Sequence, residues 1–268
     1  MRSVTTVRWI SPLVALLFPV RAVLVVLWVI LGLLSVTLVF PFAPQGLRTF
    51  MVRHWSRVLM FFCGVAVRPT GAPLLTGPVM WVANHVSWVD IFVLNSVRPV
   101  AFIAKSEIRR WPVIGWLVAG AGTVFIERGR RHAVRLVGHE MKRRFDRNEV
   151  IGLFPEGTTS PGFDVAPFHS SLFDPAIRAE VLIQPVALVF YHGGRRSDRA
   201  AFVGEQNLLQ NLWFLLTTRG VVVELVFLPA VSTGEAQEMG RASVAVHARD
   251  AIRQVVAGDS IDTAVLQA

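Results

Sequence analysis

Lysine is nearly absent from this chain, with only Lys105 and Lys142 among 268 residues, so the formal charge of +9 rests on arginine. Acidic residues are missing from the first 89 positions, where Arg2, Arg8, Arg21, Arg48, Arg53, Arg57 and Arg68 precede Asp90. Cysteine occurs once, at Cys63, which excludes an intrachain disulfide framework and a cysteine-based metal site. No serine sits in a G-x-S-x-G elbow, neither lysine follows a glycine as a Walker A motif requires, and His139-Glu140 has no second histidine at position 143. These absences remove serine hydrolase, P-loop nucleotidase and zincin chemistry. Gly120-Ala121-Gly122 begins like a dinucleotide fingerprint, but it precedes a strand pattern and Phe125 holds the third glycine position.

The remainder is apolar. Hydrophobic residues make up 53% and charged residues 17%, and the mean hydropathy of +0.52 excludes a disordered tail and points to contact with lipid. The basic balance suits an anionic partner such as a membrane surface, a phosphorylated substrate or nucleic acid. No nucleic-acid module is present, and the arginines cluster beside apolar segments, which favours the membrane.

From Ala22 to Ala43 the chain runs 22 residues without a charge, about 33 Å as a helix and enough for a hydrocarbon core of about 30 Å. That length exceeds a signal-peptide core, and Pro41-Phe42-Ala43-Pro44 offers no good cleavage site. Trp9 to Val20 is a shorter apolar run, set apart by Arg21, and is expected to be interfacial or re-entrant. Leu47, Phe50, Met51, Val58, Leu59 and Phe62 recur at helical spacing, with Arg48, Arg53 and Arg57 largely off the stripe, as in a basic interfacial helix or a surface helix packed on the domain. Residues 1–62 are thus expected to form a membrane anchor with an interfacial helix, and 63–268 a catalytic domain.

Beyond Cys63, strands are predicted at Val65–Val67, Val79–Ala83, Val100–Ala104, Thr123–Ile126, Val150–Phe154, Leu182–Val189 and Val221–Phe227. Helical patterns lie between many of them, for example His132 to Arg147 with its stripe Val134, Val137, Met141 and Phe145. The expected class is α/β, a mixed, largely parallel sheet flanked by helices and preceded by the N-terminal helical anchor. Residues 193–198 form a polar loop, and the tail after Gly258 is expected to fray.

Asn84-His85-Val86-Ser87-Trp88-Val89-Asp90 follows a predicted strand and opens a helix. Ser87 and Asp90 have capping-box spacing, but that leaves His85 unused. The alternative turns Asp90 back toward His85, so that a carboxylate fixes one imidazole nitrogen and leaves the other to take a proton from an alcohol. Two further blocks, Gly122-Thr123-Val124-Phe125-Ile126-Glu127-Arg128 and Phe154-Pro155-Glu156-Gly157-Thr158-Thr159-Ser160, fall at strand ends where α/β sheets build sites. A strand carrying Ile183-Gln184-Pro185-Val186 completes the set.

In this order and spacing, over about residues 63 to 230, the four blocks resemble the glycerolipid acyltransferase family that includes bacterial 1-acyl-glycerol-3-phosphate acyltransferases. The resemblance implies that His85 is the general base and Asp90 its orienting partner, with Asn84 a positioning residue. Gly122, Phe125, Ile126 and Arg128 match the block used toward the acceptor phosphate, for which a planar guanidinium is suited. Phe154, Pro155, Glu156, Gly157 and Thr158 match the second acceptor block, Glu156 being expected on a glycerol hydroxyl or on Arg128, and Gly157 and Thr158 as backbone donors. Lys105 is a further phosphate candidate, and Pro185 is expected to shape the pocket.

The activity so implied is transfer of a fatty acyl group from acyl-CoA or acyl carrier protein to a lysolipid hydroxyl, most simply 1-acyl-sn-glycerol-3-phosphate. No metal and no prosthetic group is expected, and the partners are the lysolipid, the donor and the bilayer, not nucleic acid. The enzyme would be membrane-bound, its catalytic domain on the cytoplasmic face of the inner membrane. Many relatives read Glu-Gly-Thr-Arg-Ser where this chain has Thr159, and that departure, with Pro167-Phe168, also resembles the branch that acylates lyso-ornithine lipid.

Overall fold

The computed structural model describes residues 12–126 and 131–258. Its centre is one sheet in the order β1-β8-β6-β2-β5-β3-β4, with a short β7 beside β6. The strands are β1 (Val65–Gly71), β2 (Val79–Ala83), β3 (Val100–Lys105), β4 (Val124–Ile126), β5 (Val150–Leu153), β6 (Leu182–His192), β7 (Arg195–Arg196) and β8 (Val221–Phe227). Pairing is parallel from β6 through β2, β5 and β3 to β4, and β1 and β8 run parallel to each other but against β6. The seven predicted strands are all present. The loop expected at 193–198 instead turns a tight hairpin, with Arg195 and Arg196 paired to His192 and Tyr191.

Helices cover both faces. They are α1 (Pro12–Leu34), α2 (Gln45–Phe62), α3 (Val89–Val97), α4 (Ile114–Gly120), α5 (Arg131–Phe145), α6 (Asp174–Arg178), α7 (Leu208–Thr217) and α8 (Thr233–Ala257). Strand β2 shows why the sheet needs two covers: all five residues are buried, and the strand period of two divides them. Val79, Trp81 and Ala83 join the cluster beneath α2 and α3, while Met80 and Val82 join the one beneath α5 and α8.

Trp9 to Ser11 lie outside the described residues, and from Pro12 on the apolar stretches on either side of Arg21 form one helix, not two segments. Helix α1 continues through a π turn at Ser35–Val39, and Leu17–Val39 is long and apolar enough to cross a membrane, with a mean hydropathy of 2.9 and little burial. Arg21 does not break it, because its guanidinium donates to the carbonyls of Leu216 and Thr218 at the end of α7, at 3.3 and 2.8 Å. Those carbonyls have no partner within their own helix, and a cation suits that end. Phe18 packs on Trp213, and the Trp28 and Trp55 indoles each donate to the other's backbone carbonyl. Gly32 admits the Trp55 ring, since a Cβ there would lie 2.6 Å from Nε1. Val25 in α1 and Leu59 and Met60 in α2 belong to the same core cluster as the sheet. The opposite face of α1, with Val23, Val26, Leu27, Ile30 and Leu34, is exposed.

Candidate active site

The site lies at the C-terminal ends of the adjacent parallel strands β2 and β5, where the chain leaves the sheet through Asn84-His85 and Phe154-Pro155-Glu156. His85 Nδ1 meets Asp90 Oδ2 at 2.7 Å. The same oxygen accepts from the amides of Val86 at 2.7 Å and Ser87 at 2.9 Å. An oxygen already accepting two amide protons can bond Nδ1 only as an acceptor, so Nδ1 carries a proton and in the neutral ring Nε2 has the lone pair. Asp90 is fully buried, whereas 20% of the His85 side chain is exposed. No described protein group bonds Nε2, so the ring can meet a ligand.

The capping box at this junction is half made. Asp90 reaches back to the Ser87 amide, but the helix begins only at Val89 and the buried Ser87 Oγ has no partner among the described residues.

The backbone of His85 is held from both sides. Its amide donates to Glu156 Oε1 at 2.7 Å, and its carbonyl accepts from the Ser160 amide at 2.8 Å and hydroxyl at 3.3 Å. The imidazole lies flat on Phe154, with centroids 4.1 Å apart and planes 11° apart, and Phe154 stacks on Phe102 at 5.4 Å. Gly152 makes room for this column, since a Cβ there would fall 2.5 Å from Val100 Cγ1 and 2.6 Å from Phe102 Cε1. A glycine inside a strand signals such close approach. Phe102, Ser160 and Ala166 were not among the residues singled out from sequence.

Glu156 is held by the backbone around it. Its second oxygen, Oε2, accepts from the Ala166 amide at 2.9 Å, so both oxygens serve backbone amides of the fold. It is 6% exposed. Burial pushes its carboxyl above the usual glutamate range, although the hydrogen bonds from the Ala166 and His85 amides pull the other way. Gly157, at φ 75°, closes a turn by donating its amide to the Phe154 carbonyl at 3.1 Å. That amide is therefore engaged, whereas Thr158 is exposed and Pro155 buried.

Asn84 is buried and ties β2 to β6, donating to the Leu188 carbonyl at 3.0 Å and accepting from its amide at 2.8 Å. Pro185 lies inside β6 opposite Val82. Leu228 donates to the Pro185 carbonyl at 3.0 Å, and the Leu228 carbonyl, which proline cannot serve, accepts from the Gln184 side chain at 3.1 Å. Lys105 is exposed at the end of β3, beside Ile126 of β4. Ile126 is buried and Phe125 lies under the Arg109 guanidinium, 5.7 Å from its centroid. Gly122 takes φ 90°, with Arg144 Nη1 3.1 Å from where a Cβ would stand. Arg128 lies outside the described residues.

Residues 66–189, which hold both strand ends and the His85–Asp90 pair, match the family model described as Acyltransferase. The chain is 36% identical over 218 residues to the lyso-ornithine lipid O-acyltransferase of Pseudomonas aeruginosa, covering 81% of this chain and 82% of that protein. The chain belongs to the glycerolipid acyltransferase family. This acyltransferase is also 35% identical over 190 residues to the 1-acyl-sn-glycerol-3-phosphate acyltransferase of Neisseria gonorrhoeae, covering 70% and 73%. Its fold matches the crystal structure of the 1-acyl-sn-glycerophosphate acyltransferase PlsC of Thermotoga maritima with a TM-score of 0.64, at 20% identity over 91% of this chain and 93% of that one. The acyltransferase thus carries the expected mixed α/β sheet flanked by helices, with the apolar N-terminal helix that suits membrane association.

Proposed function

We propose that the enzyme moves a fatty acyl group from acyl-CoA or acyl carrier protein to the free hydroxyl of a lysolipid, with 1-acyl-sn-glycerol-3-phosphate as acceptor and phosphatidic acid as product. The observation that carries this reading is the 2.7 Å contact from His85 Nδ1 to a buried Asp90 oxygen, with Nε2 left unbonded by the described protein. Nε2 takes the acceptor's hydroxyl proton as that oxygen attacks the thioester carbonyl. Collapse of the tetrahedral adduct breaks the carbon–sulfur bond, and the imidazolium returns the proton to the departing thiolate. The buried Asp90 carboxylate stabilises the imidazolium in between. No acyl-enzyme is required, because the thioester is already activated.

His85 and Asp90 are the catalytic pair in this reading. Lys105 and Arg128 are assigned to the anionic headgroup, with Gly122, Phe125, Ile126, Phe154, Pro155 and Thr158 around the acceptor. Asn84, Glu156, Gly157 and Pro185 act through the backbone they hold. Membrane-bound through its N-terminal helices, the enzyme works on the cytoplasmic face of the inner membrane, where the carrier thioesters are made.

A second reading makes lyso-ornithine lipid the acceptor. It is favoured by Thr159, which stands where many relatives have arginine and spends its hydroxyl on the Phe202 carbonyl. Purified enzyme incubated with labelled acyl-CoA or acyl carrier protein and each acceptor in turn separates the two. Product from lysophosphatidic acid, lost in His85→Ala, supports the first reading; product from the ornithine acceptor alone replaces it with the second.

A further inference from the structure

A groove separate from the His85 site lies between α2, the edge strand β1 and the end of α3. It is a groove of about 470 Å³ whose lining includes Arg53, Arg57, Phe61, Val67 and Leu75. Arg53 and Arg57 are one helical turn apart, and the Nε of each donates to the same carbonyl, that of Ser96, at 3.4 and 2.8 Å. Ser96 lies in the last turn of α3, where the carbonyls attract cations. Two guanidiniums are thereby gathered at one point. Among the described residues, neither pairs with a carboxylate. Burial and the neighbouring Arg53 both lower the Arg57 pKa, as expected of a cation crowded by its like.

The apolar half of the groove is open. Phe61 is 76% exposed and Leu75 51%, one on each side of β1 in the chain. Phe42 before α2 and Leu47 and Phe50 within it are exposed as well. An anion with a greasy tail satisfies both halves: its phosphate between the arginines, its chain along Phe61 and Leu75. Neither His85 nor Asp90 lines this groove, and Ser96 is six residues beyond Asp90, about 9 Å along α3.

We propose that the groove holds an anionic phospholipid of the bilayer, bound as a resident lipid rather than as acceptor or product. Full-length protein would be extracted into a neutral detergent with phosphatidylglycerol and phosphatidylcholine present, and the retained lipid identified by native mass spectrometry. Wild type is expected to keep phosphatidylglycerol. Arg53→Gln with Arg57→Gln should lose it, its preference for phosphatidylglycerol over phosphatidylcholine falling about thirtyfold. Arg195→Gln with Arg241→Gln, the same charge change elsewhere, should keep it.

Phe61→Ser retains both arginines and should also weaken retention of the lipid, because the chain then loses the most exposed part of its apolar wall. Acyl transfer to a micellar acceptor is expected to stay near wild type in all three variants, which verifies their folding. Retention of phosphatidylglycerol by the Arg53/Arg57 variant overturns the proposal. So does equal loss in the Arg195/Arg241 variant, or release of the lipid by inorganic phosphate alone.

Discussion

The Asp90 carboxylate holds the His85 ring with the same oxygen, Oδ2, that takes the amide protons of Val86 and Ser87. One atom therefore sets the loop, the tautomer and the charge partner of the base. Asp90→Asn can keep an oxygen in that place while removing the charge. It should fold and lose about 10²-fold in kcat, against about 10³-fold or more for His85→Ala. Asp90→Ala orphans two buried amides as well, and should lower the melting temperature, which Asp90→Asn does much less. Steady-state kinetics and thermal unfolding on the three variants check this ordering.

Glu156 acts on His85 through the backbone, so its removal should differ from loss of an acceptor contact. In Glu156→Gln one side-chain oxygen becomes an NH₂ facing an amide proton, at about 1–3 kcal/mol. Activity should fall mainly in kcat, with the acceptor KM little changed. A large KM increase at constant kcat would instead put Glu156 on the substrate.

The raised Glu156 pKa also has a consequence for stability. In the window between the ordinary glutamate value and the raised one, the folded state binds more protons than the unfolded state. Its contribution therefore declines as pH rises through that window. Subtracting the unfolding free energy of Glu156→Gln from that of wild type across the acid range should give a difference that falls with increasing pH. A difference that rises would contradict the burial described here.

Gly152 should tolerate no side chain without cost. A methyl group meets Val100 and Phe102 at about 2.5–2.7 Å, and overpacking of this kind costs about 1–3 kcal/mol. The displaced ring is the base of the Phe102–Phe154–His85 column. Gly152→Ala is thus expected to lower both melting temperature and kcat, and Phe102→Leu in the same chain should restore part of each.

Cys63 is fully buried, and burial pushes its thiol up to about 12. The thiolate is the reactive form, so iodoacetamide should leave the folded enzyme unmodified and active. Modification only after unfolding, read by intact mass, is the expected result.

Much of this molecule was legible from local pattern. The β-branched runs marked every strand but β7, which consists of two arginines in a polar turn. The five-residue spacing of His85 and Asp90 was enough to bring them together across a strand-to-helix turn. What escaped were relationships set by tertiary contact. Arg21 looks like an interruption until the carbonyls of Leu216 and Thr218, nearly two hundred residues away, are seen to receive it. Glu156 was expected on a glycerol hydroxyl or on Arg128, and the amides of His85 and Ala166 that it accepts from leave no trace in composition or period. Phe102 was unmarked for the same reason, although the neighbouring Gly152 in β5 was a readable sign that something large comes close.

Helix α1 is fastened to the domain at Phe18, Arg21, Trp28 and Gly32 in succession, against α7 at one end and Trp55 further along. These contacts tie the helix to the globular part at successive points along its length. Whatever depth its outward face finds in a bilayer fixes the height and tilt of the sheet, and with them the position of the imidazole. Under the proposed function such an anchor would work as a gauge: a lipid already lying in the leaflet would meet His85 at one constant level, by sideways diffusion, without the protein having to search for it.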